Sequence, residues 1–107
     1  MSKKRTYDHW EIPTSVVHIV KSICADYDRR AAVIASGEYR EQYAHMNAAI
    51  DLALSSVEEG IRRIMLEDIG LGRGYGFSPA SPYLAKNSYY LRKRKVIHDI
   101  AKSLGFL

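Results

Sequence analysis

The chain has one cysteine, Cys24, so no intramolecular disulfide holds it together and nothing implies an oxidising compartment. Cys24 falls in an apolar run, where it reads as a small hydrophobic side chain. No stretch approaches the roughly 18 apolar residues of a membrane span. Residues 1–10 lack the apolar segment of a secretory signal. The expectation is a cytoplasmic protein without membrane contact. Alternating apolar and polar residues of strand type are also missing, and so is any internal repeat. Acidic side chains nearly vanish from the last third, where only Asp99 stands.

What is present suits one small domain. Of 107 residues, 47% are apolar, enough for one modest core and against wholesale disorder. The net charge of +4 is unevenly spread: six Lys or Arg against four Asp or Glu in residues 1–37, three against seven in 38–70, and seven against one in 71–107. A basic end of that kind is the footprint of a polyanion-binding surface, although a solvated helix face looks the same in composition.

Residues 1–11 read as a short flexible arm, with Trp10 anchoring it to the core. Pro13 is tolerated in a first helical turn because its missing N–H has no intrahelical partner there. Val16, Ile19, Val20, Ile23, Tyr27, Ala31 and Ile34 recur at steps of three and four, which predicts a helix over 13–36 ending near Gly37. Tyr39, Tyr43, Met46, Ile50, Leu54, Val57, Ile61 and Met65 continue the pattern over 38–69, as one continuous or kinked helix or as two with a break near 55. Ser55-Ser56-Val57-Glu58 has the spacing of a capping box. Together 13–69 would form a helical hairpin. Four glycines and two prolines in 70–82 predict a long loop. Its glycines do not follow the nucleotide-binding spacing, and no strand precedes them.

The last segment, 83–107, is amphipathic and basic. Tyr90, Ile97, Ile100, Ala101 and Leu104 share one face of a helix over 88–104, with Asn87 or Ser88 as N-cap and Gly105 beyond its end.

Catalytic chemistry finds little here. His9, His18, His45 and His98 are scattered without metal-binding spacing, and one cysteine cannot build a thiolate site. Glu58 and Glu59 precede Arg62 and Arg63 by four residues, the order of a helix ion-pair surface. Glu67 and Asp68 also lack the paired geometry of acid–base catalysis. Neither an enzyme nor a cofactor or metal is expected.

The run Lys86-Asn-Ser-Tyr-Tyr-Leu-Arg-Lys-Arg-Lys95 carries the most information, joining short polar residues at a helix start to two tyrosines and four consecutive cations. Side chains of these kinds reach phosphates and base edges, and Arg92 has the fork that reads guanine in a major groove. The candidate DNA-binding residues are Lys86, Asn87, Ser88, Tyr89, Arg92, Lys93, Arg94 and Lys95.

With its continuation Val96-Ile-His-Asp-Ile-Ala-Lys-Ser-Leu-Gly105, this run resembles the C-terminal region of small phage transcriptional regulators of the ArpU and RinA type. That family's C-terminal half is similar to sigma-factor region 4, a helix-turn-helix. The resemblance covers roughly 55–107. It implies that 57–69 packs as a supporting helix while Ser88, Tyr89, Arg92, Lys93 and Lys95 face DNA. The loop at 70–82 is longer than the usual turn of 3–4 residues. One turn after Pro79, within 78–85, would stand in for the helix that normally precedes the recognition helix.

The sequence thus predicts an all-α domain of three to four helices with a helix-turn-helix-like C-terminal half. Its expected role is a sequence-specific DNA-binding regulator of transcription, phage or prophage encoded, with double-stranded DNA as partner. RNA polymerase and a second copy of the chain are further candidate partners. The alternative is a helical interaction module that docks its basic helix on an acidic protein.

Overall fold

A computed structural model describes residues 11–38 and 40–107. The expected N-terminal arm and its Trp10 anchor therefore lie outside the described residues, apart from Glu11. Among the described residues the fold is entirely helical: α1 (Thr14–Ala25), α2 (Tyr27–Ala35), α3 (Glu41–Leu54), α4 (Glu59–Leu71) and α5 (Lys86–Ser103), with a 3-10 turn at Tyr75–Phe77.

The predicted first helix is in fact two. Pro13 precedes α1 and accepts the amides of Val16 and Val17. The stripe Val16–Val20–Cys24 is buried. At Asp26 the backbone leaves the helical region (φ −100°, ψ 9°) and the chain changes direction. The cause is a buried cation. Arg30 lies within α2 yet is almost wholly enclosed, its guanidinium reaching back to the Ile23 carbonyl and across to Asn47 Oδ1 at 2.8 Å. Asn47 Nδ2 completes the stitch by donating to the Tyr27 carbonyl at 3.3 Å. The bend lets α1 pack on α4 while α2 packs on α3. Gly37, at φ +91°, lies just past the end of α2, as its position in the sequence predicts.

The region 38–69 takes the broken alternative. The Ser55 and Ser56 hydroxyls donate back to the Leu52 and Ala53 carbonyls at 2.5 and 2.9 Å, which satisfies the end of α3. Neither is therefore a capping-box N-cap, and Glu58 holds that position for α4. Arg62 ties the corner from the other side, donating to the Val57 and Ser55 carbonyls. The expected two-helix hairpin over 13–69 is thus replaced by four helices.

Two helices end alike. The amide of Arg73 donates to the Asp68 carbonyl at 2.8 Å around Gly72 (φ +70°), and that of Phe106 to Ala101 at 2.8 Å around Gly105 (φ +85°). This is the left-handed glycine stop, which a side chain would strain. α5 begins two residues earlier than 88. Ala85 sits at its N-cap position, so Asn87 and Ser88 lie inside the first turn.

α5 fills the space between α3 and α1. Val20, Ile50, Met65, Val96 and Ile100 are fully buried at the centre, where truncation to Ala typically costs about 2–5 kcal/mol for the larger side chains.

Candidate nucleic-acid interface

The loop between α4 and α5 decides how α5 presents itself. Asp68, on the last turns of α4, has no exposed surface. Its carboxylate accepts the Tyr89 hydroxyl at 2.7 Å and Arg73 Nε at 2.5 Å. The Tyr89 ring meets Tyr75 and Tyr90 edge-on, with centroids 5.4 and 5.1 Å away. Tyr89 is consequently buried and offers no surface to any ligand, which corrects the sequence expectation that it faces DNA. The physical reason is that a carboxylate enclosed at the end of α4 needs donors, and the first turn of α5 supplies one. Burial first, and then the bond to Asp68, push the Tyr89 phenol well above its ordinary pKa.

Lys93 turns inward as well. Its ammonium donates to the Arg73 carbonyl at 2.7 Å and stands 5.7 Å above the Tyr89 ring. Burial lowers its pKa, with the Asp68 charge opposing that shift. Arg92 is held by Glu58 at the N-cap of α4, its Nε 2.9 and 3.0 Å from the two carboxylate oxygens, and Nη1 donates to the Ser88 carbonyl. Lys95 pairs with Asp99 at 2.8 Å. Burial pushes the Asp99 carboxyl up, but hydrogen bonds from Lys95 and His98 outweigh it and leave it below the usual range. The single acidic residue of the last third therefore neutralises one of the predicted contacts.

Lys86 and Arg94 are different. Neither has an acidic partner among the described residues, and Arg94 Nε is buried without any hydrogen bond. With Asn87 and the inward-turned Lys93 they line an open groove of about 600 Å³ between α5 and α1, whose apolar lining is Val17, Tyr90 and Ile97. Asn87 is exposed and Ser88 partly so. Of the eight predicted residues, the groove gathers Lys86, Asn87, Lys93 and Arg94. Ser88, Arg92 and Lys95 lie outside its lining, and Tyr89 lies within the core.

No family model, curated protein or solved structure matches this chain. Among the described residues no helix is long and apolar enough to cross a membrane, and no three His, Cys, Asp or Glu side chains are grouped to hold a metal ion.

Nothing in the sequence marks Asp68 and Arg73 as organisers of the site. Asp68 follows Glu67 in an acidic helix, where either is equally suited to solvent; only the tertiary approach of Tyr89 separates them. Nor does the sequence single out Phe77 and Tyr83. They stand in the Gly- and Pro-rich loop and remain strongly exposed.

Proposed function

We propose that the chain binds double-stranded DNA through the N-terminal two thirds of α5, as a sequence-specific regulator of transcription that performs no chemistry. The observation that carries this reading is the pair Lys86 and Arg94, eight residues and about 12 Å apart along one helix, both lining one groove and both without an acidic partner among the described residues. Unpaired cations release counterions on meeting phosphate without first breaking an internal ion pair. Exposed Asn87 beside them has the donor and acceptor that read adenine. Lys93 adds charge from deeper in the groove, and Lys95 contributes to the field only net of Asp99. Arg92 has to leave Glu58 before it can grip guanine. The resemblance to phage regulators supplies the regulatory class.

The apolar floor of the groove favours a second reading, an acidic protein segment with one apolar anchor seated on Val17, Tyr90 and Ile97. Fluorescence anisotropy separates the two. DNA binding predicts an affinity for duplex that falls steeply with salt and is tighter for DNA of its own gene neighbourhood than for random sequence. Absence of duplex binding at low salt, with saturable binding of an acidic peptide, would establish the second reading instead.

A further inference from the structure

Phe77 is 86% exposed and Tyr83 76%, the two most exposed large hydrophobic side chains among the described residues. Both belong to the segment between α4 and α5. A mobile loop could display such residues without consequence, but this loop is fastened from several sides. The Tyr75 hydroxyl donates to the Leu84 carbonyl at 2.6 Å, with the Ser81 carbonyl 3.0 Å away. The Tyr75 amide donates to Tyr90 Oη at 3.1 Å, and Lys93 holds the Arg73 carbonyl. Ser78 Oγ accepts the Ala80 amide at 3.0 Å, both residues being buried. Phe77 closes the 3-10 turn through its amide to Gly74, and a side chain placed on Gly76 beside it would point into open space.

Tyr89, Tyr90 and Lys93 therefore act on this loop from the first half of α5. Tyr89 and Lys93, which the sequence assigned to ligand contact, join Tyr90 of the apolar face in holding a second element in place, and that element carries two aromatic rings into solvent. The loop runs directly into Lys86, in a third of the chain where Asp99 is the only acid. Exposed rings on a fastened loop that leads into a basic helix suit a ligand that offers flat π faces along an anionic backbone.

We propose that Phe77 and Tyr83 are base-contacting residues, stacking on or wedging between bases at the flank of the duplex that α5 docks against. This rests on the DNA-binding reading. It adds a second contact, apolar where that of α5 is electrostatic, and it makes the loop and not only the helix a determinant of the bound site. Phe77 has the smaller polar character and is the wedge; Tyr83 supports it.

The test uses the full chain and duplexes carrying 2-aminopurine at successive positions, with Phe77→Ala, Tyr83→Ala and Phe77→Trp. Both native rings are exposed, so all three variants are expected to melt with the wild type. Wild-type protein should raise 2-aminopurine emission at one step near the end of the site. Phe77→Ala should abolish that signal and weaken binding about 5- to 150-fold, and Phe77→Trp should restore both. The salt slope should stay unchanged, because no phosphate contact is lost. Wild-type binding with a flat 2-aminopurine profile and no effect of either alanine variant would overturn the proposal while leaving DNA binding intact. No wild-type binding to any duplex would fail the DNA-binding reading, and this proposal with it. Retained DNA affinity in Phe77→Ala with loss of a protein partner would reassign the loop to protein contact.

Discussion

The hydroxyl of Tyr89 donates to Asp68 across 2.7 Å, at a point where neither residue has any exposed surface. Asp68 also takes Arg73 Nε, so one carboxylate joins the end of α4, the loop beyond Gly72 and the first turn of α5. Asp68→Ala is expected to cost about 3 kcal/mol, because it strips the partly buried guanidinium of its carboxylate and leaves the buried phenol only the longer bond to the Arg73 carbonyl. Tyr89→Phe removes one bond to a charged group and should cost about 1.5 kcal/mol. Urea unfolding of the two variants and of the double variant gives both values and their coupling. Additive losses would show that the two side chains act independently.

Arg30 predicts a second stability effect, at the joint between α1 and α2. Arg30→Ala strands the Ile23 carbonyl and Asn47 Oδ1, and an expected loss of about 2–3 kcal/mol follows. Arg30→Lys should recover little of it, since an ammonium cannot address two acceptors with the fixed fork of a guanidinium. Thermal melts followed by helical circular dichroism check both variants. A lysine variant as stable as wild type would mean that charge alone, not the fork, closes the joint.

Alkaline pH should loosen the fold. Burial and the bond to Asp51 raise the Tyr27 phenol to about 12, and burial with the bond to Asp68 raises Tyr89. Above pH 10 the unfolded chain has released these protons while the folded chain keeps them, so stability falls as pH rises. The contribution is whole below about pH 10 and is lost as pH passes through about 12 for Tyr27. Ultraviolet titration of the phenolates alongside denaturant midpoints at pH 8 and pH 10.5 tests this, with Tyr89→Phe reducing the alkaline loss.

For DNA binding, the unpaired cations should dominate. Lys86→Ala and Arg94→Ala are each expected to lower the slope of log affinity against log salt by about 0.9, one phosphate contact apiece. Arg92→Ala and Lys95→Ala should change it less, because Glu58 and Asp99 already offset those charges. Anisotropy at several salt concentrations ranks the four. Equal slopes for all would place the phosphate contacts elsewhere.

Burial also pushes the Cys24 thiol up to about 12, with the Arg30 charge only partly opposing it. In the folded chain at pH 8 the thiol should resist aromatic disulfide reagents, and its labelling should follow the fraction unfolded in urea. Rapid labelling without denaturant would reveal local opening around α1.

The helical class was legible because Val16, Val20 and Cys24, or Ile97, Ile100 and Ala101, repeat with helical spacing and are buried as that spacing requires. Gly37, Gly72 and Gly105 mark three helix ends for a local reason that sequence expresses directly. The break at Asp26 was not legible. Periodicity runs through it without a glycine or proline, and its cause is a side chain four residues later meeting Asn47 from another helix. The serines at 55 and 56 fitted a start signal, yet their hydroxyls close the helix behind them. At the candidate site, composition located the basic helix correctly. It could not say which way each cation turns, since Lys93 and Arg94 are neighbours and only tertiary partners send one to Arg73 and leave the other on the groove rim.

The pairing of α1 with α4, and of α3 with α5, has a consequence for how the chain is made. Apart from α2 against α3, the main partners are not neighbours in sequence, so much of the core closes only after long segments have been brought together. As the chain leaves the ribosome, the apolar stripe of α1 waits until α4 has emerged, and α3 waits for α5. Translation arrested after residue 58 should yield helical but unpacked nascent chains, and the transition to protease resistance should come only once α5 has cleared the exit tunnel.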